Sequence, residues 1–198
     1  MPRIIRESDS RDVFLEGYIG HNRTGKTSLA RRKAELWIKN NPTGIVAGFD
    51  PQNKFSDLLD IVIRPADKSY GEKILRLRNA LLILDDYRIL HPNSKSEPWL
   101  LDLMQFRSEY CIDIIYITHN PKLVLETLTY YTTHYYIFYT ESRLGSWQDK
   151  IPNYVHCQTA SMFINKYVSV HGKGSHPNFP HIIVDCLNQK LIAQNVKR

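Results

Sequence analysis

Residues 13–27, VFLEGYIGHNRTGKT, join a run of β-favouring side chains to a glycine loop. The run is Val13, Phe14, Leu15, Tyr18 and Ile19; the loop is Gly20, four residues, then Gly25, Lys26 and Thr27. That spacing suits a phosphate group. The glycines let the backbone curl until its N–H groups face phosphate oxygens, the lysine reaches the β- and γ-phosphates, and the threonine hydroxyl can join the shell of a Mg2+ ion. Gly20, His21, Asn22, Arg23, Thr24, Gly25, Lys26, Thr27 and Ser28 are therefore the candidate nucleotide-binding set, with Lys26 also a candidate catalytic residue and Thr27 a candidate metal ligand. A helix is predicted over 28–39, with Leu29, Leu36 and Trp37 on one face, and its N-terminal dipole favours the same anion. Strand, glycine loop and helix in that order separate a phosphate site from a chance turn rich in Gly and Lys.

The second diagnostic stretch is 80–86, ALLILDD, a continuous apolar run ended by two carboxylates. It reads as a parallel strand covered on both faces and emerging at a site. Behind a phosphate loop, Asp85 is the candidate holder of the Mg2+ shell, and Asp86 the candidate that orients or deprotonates the attacking water. Residues 112–118, IDIIYIT, form another buried strand, ending in Thr118, His119 and Asn120. Polar groups at that point are placed to sense a γ-phosphate, so His119 and Asn120 join the catalytic candidates. The fold class expected is α/β, a mostly parallel sheet sandwiched by helices.

The chain of 198 residues is 42% hydrophobic, enough for a real core and against disorder. Twenty-six Lys and Arg against 20 acids leave a formal charge of +6, which fits a polyanionic partner without identifying one. Cys111, Cys157 and Cys186 are odd in number and widely spaced, as expected of free, buried thiols in a reducing compartment. No segment has the length of a signal-peptide core or the roughly 18–20 apolar residues of a membrane span. The expectation is a soluble intracellular protein.

Elsewhere the patterns predict strands over 45–50 and 61–64, a loop with a short helix between them, and a helix over 70–78. Further helices are expected from Pro98 through Tyr110 and over 122–131, with a last core strand over 135–139. The aromatic cluster of Tyr130, Tyr131, Tyr135, Tyr136, Phe138 and Tyr139 reads as core packing rather than base stacking. Residues 162–170 fit a helix or a strand, 170–180 a loop, and 181–196 a hairpin turning at Asn188-Gln189. This divides the chain into a core, 1–142, and a C-terminal extension, 143–198, packed on it. Arg107 continues the apolar stripe of the 98–110 helix, where it reads either as a snorkelling side chain or as a charge aimed at a neighbouring subunit's nucleotide.

A guanine-specific GTPase needs an Asn-Lys-x-Asp segment late in the chain and an Asp-x-x-Gly turn; here Asn53-Lys54 is followed by Ser56, and Asp85 by Asp86, Tyr87 and Arg88. A small-molecule kinase usually has an Arg-rich lid, for which 141–145 offers only Arg143. The order of motifs is that of P-loop ATPases with an extra core strand and an adjacent catalytic acid. Within that division the chain resembles the FtsK–HerA superfamily of DNA-pumping motors, and most of all the small viral genome-packaging ATPases. The resemblance spans about 13–139 and is carried by 20–27, Gly48-Phe49-Asp50-Pro51, 82–86, Arg107 and 117–120.

That resemblance implies an ATP-hydrolysing, Mg2+-dependent DNA translocase that packages a viral double-stranded genome into a preformed capsid. It implies a closed homo-oligomeric ring, a hexamer as in the family, gripping duplex DNA without reading its sequence. Its partners would be double-stranded DNA and a capsid or portal-vertex component, and its place the host cytoplasm at the capsid. Arg107 takes the role of a finger offered in trans. Two departures stand out: Asp86 replaces the family's usual glutamate, and His119 and Asn120 stand where a glutamine usually follows Thr118. A Zot-like ATPase for virion export or replication, a nucleotide-dependent binding switch and a small-molecule kinase remain as alternatives.

Overall fold

The computed structural model describes residues 12–64, 69–86, 98–119, 124–141, 151 and 153–196. In chain order the elements are β1 (Leu15–Ile19), α1 (Lys26–Asn40), β2 (Ile45–Phe49), β3 (Ile61–Val62), α2 (Tyr70–Leu75), β4 (Ala80–Asp85), α3 (Pro98–Phe106), β5 (Ile112–Thr118), α4 (Glu126–Tyr131), β6 (His134–Ile137), α5 (Tyr154–His171), β7 (His181–Asp185) and β8 (Lys190–Gln194). Among the described residues the strands form one sheet of eight in the order β3-β2-β4-β5-β1-β6-β7-β8. Strands β3 to β6 of that order run parallel; β7 and β8 close it as an antiparallel hairpin.

Mostly apolar runs make the central strands, because both faces are covered, with Glu16 in β1 and Asp113 in β5 buried acids within them. Every residue of β4 and β5 is buried. Their side chains alternate between two cores. Leu82, Leu84, Ile114 and Tyr116 meet the α2–α5 side, while Leu81, Ile83, Ile115 and Ile117 meet the α1 side.

Of the face expected for α1, Trp37 is buried and Leu29 packs against the core, but Leu36 does not. Ala30, Ala34 and Trp37 are buried with Lys26, whereas Leu36 is exposed. Small alanines let the helix lie close to the sheet, so the i, i+4, i+8 row is selected by proximity and not by bulk. A polar cluster pins the same interface. The buried Glu16 of β1 accepts from Tyr18 (2.8 Å) and Tyr136 (3.2 Å), pairs with Lys33 of α1 at 3.0 Å, and Tyr18 and Tyr136 stack with centroids 4.4 Å apart. A buried carboxylate is tolerable when its oxygens are satisfied in this way.

Several boundaries move. Residues 51–60 form turns with no helix; β3 spans only Ile61–Val62; α3 stops at Phe106, placing Arg107 in the turn beyond it; and α4, among the described residues, spans Glu126–Tyr131. Local periodicity marks an element's centre better than its end, where capping and tertiary contacts compete. The strand expected over 135–139 is β6, and it is not the last of the sheet. Residues 162–170 belong to α5, which starts at Tyr154 and packs on β6, β7 and β8. The hairpin turns at 186–189, with Gln189 at φ 52. Of the aromatic cluster, Tyr135 and Phe138 are fully buried, but Tyr130 and Tyr131 lie exposed on α4. No helix among the described residues is long and apolar enough to cross a membrane.

Candidate nucleotide site

Because the six strands from β3 to β6 are parallel, their C-terminal ends share one edge. Register aligns Ile19 with Thr118 and Ile137, and Asp85 with Ile117. The glycine loop, both carboxylates and His119 therefore meet at that edge, with β5 between the loop strand and the carboxylate strand.

The loop is seated by two backbone bonds. Gly20 N–H donates to the Thr118 carbonyl at 3.3 Å, and His21 N–H donates to the Tyr139 carbonyl at 2.6 Å. A Cβ on Gly20 would lie 2.7 Å from the Phe138 Cβ, so a side chain there would push the loop off its seat. Gly25, at φ 93, makes the left-handed turn into α1, and the Leu29 N–H donates to its carbonyl at 2.9 Å. A Cβ at Gly25 would stand 2.3 Å from the Phe179 ring, which lies against it. Thr24 Oγ1 and Lys26 Nζ both donate to the His21 carbonyl, at 2.8 and 2.7 Å. Asn22 and Arg23 are exposed at the loop tip, while Thr27 and Ser28 are half-buried in the first turn of α1.

Lys26 is 3% exposed. Burial pushes its ammonium down to about 7; Asp85 draws it back up, Lys54 pushes it further down, and Asp86 draws it up. A polyphosphate in the loop would favour the charged form. Below about pH 7 the lysine already carries its proton, so binding takes up none. Above that pH binding must supply one, and affinity falls as pH rises. The expected result is proton uptake on ADP binding at pH 8 that fades towards pH 6, read by calorimetry in buffers of different ionisation enthalpy.

Asp85 is 1% exposed, and among the described residues neither of its carboxylate oxygens has a hydrogen-bond partner of good geometry. Lys54 Nζ lies 3.5 Å from its Oδ2. Burial raises its pKa, Lys54 opposes that, and Asp50 and Asp86 add to it. A desolvated carboxylate with open lone pairs, beside a threonine-bearing phosphate loop, fits the hard oxygen shell of Mg2+. Asp86 follows at φ 47, its N–H donating to the Ile117 carbonyl at 3.1 Å. Asp is among the few residues that adopt this left-handed conformation readily.

His119 is half-buried at the end of β5. Asn120, the other sensor candidate, lies outside the described residues. The structure does not bring Arg107 to its own chain's loop: it precedes β5, at the opposite end of the strands. There its carbonyl accepts from the Ile112 N–H at 2.8 Å, and the residue is 8% exposed. Burial lowers its pKa and Asp113 opposes the shift.

Three contributors had no sequence signal. Glu141 stands 3.3 Å from His21 Nε2 and 3.8 Å from Lys173 Nζ, and that Lys173 ammonium sits 4.8 Å from the Tyr139 ring centroid. Phe179 covers Gly25, and Arg32 Nη2 donates to the neighbouring Pro177 carbonyl at 3.1 Å. The segment 172–180 therefore packs beside the phosphate loop. Lys54 is the third.

No family model matches the chain, and no curated protein matches its sequence. Solved structures do. The genome packaging NTPase B204 of Sulfolobus turreted icosahedral virus 2 superposes with a TM-score of 0.63 in its AMP complex, at 14% identity, covering 92% of this chain and 96% of that one. Its AMPPCP complex gives 0.61 at 15% identity, covering 92% and 97%. B204 of Sulfolobus turreted icosahedral virus, described as a DNA-packaging ATPase, gives 0.61 at 16% identity with the same coverages, 92% and 97%. At these identities the likeness is one of fold, the P-loop NTPase fold with a mostly parallel sheet.

Proposed function

We propose that this chain is a member of the FtsK–HerA superfamily of P-loop ATPases, an ATP-driven DNA translocase that packages a viral double-stranded genome into a preformed capsid. One observation carries the enzymatic part: a buried, desolvated Lys26 and a buried Asp85, whose Oδ2 faces only the half-exposed Lys54 at 3.5 Å among the described residues, converge at one edge of the sheet, with Asp86 beside them. Such a pairing is costly in an empty fold, and a bound polyphosphate and cation would offset the cost. The packaging part is supported by the shared fold with the B204 proteins across nearly the whole chain.

In this reading the N–H groups of 20–27 cradle the β- and γ-phosphates, Lys26 spans them, and Ser28 completes the first helical turn. Mg2+, held by Thr27 and Asp85, would neutralise charge on the phosphates. Asp86 holds the attacking water, and His119 with Asn120 reads the terminal phosphate. Arg107 serves a neighbouring copy in a hexameric ring; because the single chain buries it, ring assembly must uncover its guanidinium. The ring grips the phosphates of duplex DNA, to which the net charge of +6 contributes, and works in the host cytoplasm at a capsid or portal vertex.

The test is ATP hydrolysis as a function of protein concentration, with and without duplex DNA, at two salt concentrations. Turnover that rises steeply with concentration and with DNA, and loses the DNA stimulation at higher salt, is expected. In the same series Arg107→Ala lowers only the assembled rate. A flat rate blind to DNA would sink the translocase and leave a nucleotide switch or, if phosphorylated product appears, a kinase.

A further inference from the structure

The loop after β2 is built to hold one lysine at the nucleotide site. Asp50 Oδ2 accepts from the Phe55 N–H at 2.6 Å, the Phe55 ring is fully buried in the core, and Asn53 turns the chain at φ 54. Arg31, one turn beyond Thr27 on α1, donates to the Lys54 carbonyl at 2.8 Å and grips Asp57 with both Nη atoms. The backbone of Lys54 is thus tied on one side to the helix that follows the phosphate loop and on the other to the core. Its four-carbon stem has rotatable bonds, and in this structure it crosses to Asp85, leaving the side chain 32% exposed and Nζ 3.5 Å from Oδ2.

We propose that Lys54 is a γ-phosphate-binding residue, which exchanges Asp85 for the terminal phosphate when a Mg2+-nucleoside triphosphate enters; this rests on the nucleotide-binding reading above. Like charges drive the exchange. A divalent cation at Asp85 repels the ammonium from the carboxylate, and the triphosphate's last group is the new anion on the side where Lys54 already feels Lys26. A diphosphate lacks that group. Lys54 therefore distinguishes substrate from product, and the loop 50–57 is tied to α1 on one side and to the γ-phosphate on the other.

Lys54→Met keeps the stem and removes the charge; Lys54→Arg keeps the charge. Binding of AMPPCP and of ADP, each with Mg2+, is measured by displacement of a fluorescent nucleotide, with the melting temperature checked for each variant. Lys54→Met is expected to weaken AMPPCP by about 10- to 100-fold and ADP by less than about twofold, the scale of one lost hydrogen bond to a charged group. Lys54→Arg retains most of the affinity. Without nucleotide, Mn2+ binding followed by electron paramagnetic resonance tightens in Lys54→Met, since the competing ammonium is gone. Equal losses for both nucleotides, or an unchanged AMPPCP affinity, would overturn the assignment and reduce Lys54 to a counter-ion of Asp85. A wild-type protein that binds neither nucleotide overturns the site reading itself, a distinct result from a wild type that binds both and a variant that fails to discriminate.

Discussion

Lys26→Ala is expected to lower ATP turnover by at least about 10²–10³-fold, the scale on which a single electrostatic contact to the developing charge acts, while leaving the protein folded. The two halves of that result have separate causes. Lys26 is the ammonium aimed into the phosphate loop, and Arg23, the loop's other cation, is exposed at its tip. In the nucleotide-free fold, however, the same lysine is a liability. Its pKa lies near 7 in the folded chain against an ordinary 10.5, so between those values the unfolded state binds more protons and the wild-type stability rises with pH. Alanine removes that dependence. The His21 carbonyl keeps the Thr24 hydroxyl as donor, so no acceptor is orphaned. The variant should melt at or above the wild-type temperature at pH 7 to 8, and loss of turnover with a fallen melting temperature would instead mark Lys26 as a structural residue.

Asp86→Asn is expected to bind ATP with near wild-type affinity and to lose hydrolysis by about 10²–10⁴-fold, the range in which a positioned general base contributes. The substitution is nearly isosteric. Asn shares with Asp a tolerance for the left-handed backbone found at position 86, so the φ of 47 is kept without new strain. What is removed is the negative charge to which the proposed function assigns the orienting or deprotonation of water. Single-turnover hydrolysis, measured beside equilibrium nucleotide binding, separates the two effects. Strong residual turnover would move the base elsewhere, with His119 at the end of β5 the next residue to test.

The central parts of this site were legible because they are local. The Gly20 to Thr27 spacing, the apolar run of 80–84 with the two acids that end it, and the mostly apolar β5 each express their physics within a few residues. Backbone curl, strand burial and the position of an acid at a strand end need no distant partner. Bulk misled where proximity ruled: Leu36 scores as a core residue by size and period, yet Ala30 and Ala34 face the sheet. Arg107 was read on a helix because its spacing from Leu100 fits; the helix ends one residue earlier, and the side chain is buried in the turn.

The sequence by itself determined the central strands and their order along the chain, the glycine loop running into α1, and the carboxylate pair, since these follow from glycine conformational freedom, apolar periodicity and charge placed next to a strand. Only the tertiary structure decided that β5 lies between the loop strand and the carboxylate strand, that the β7–β8 hairpin extends the same sheet, that Phe179 covers Gly25, and that Lys54 reaches Asp85. The physical reason is that such contacts join residues far apart in the chain. Their free energy comes from burial and Coulomb attraction across space, which no window of neighbouring residues contains.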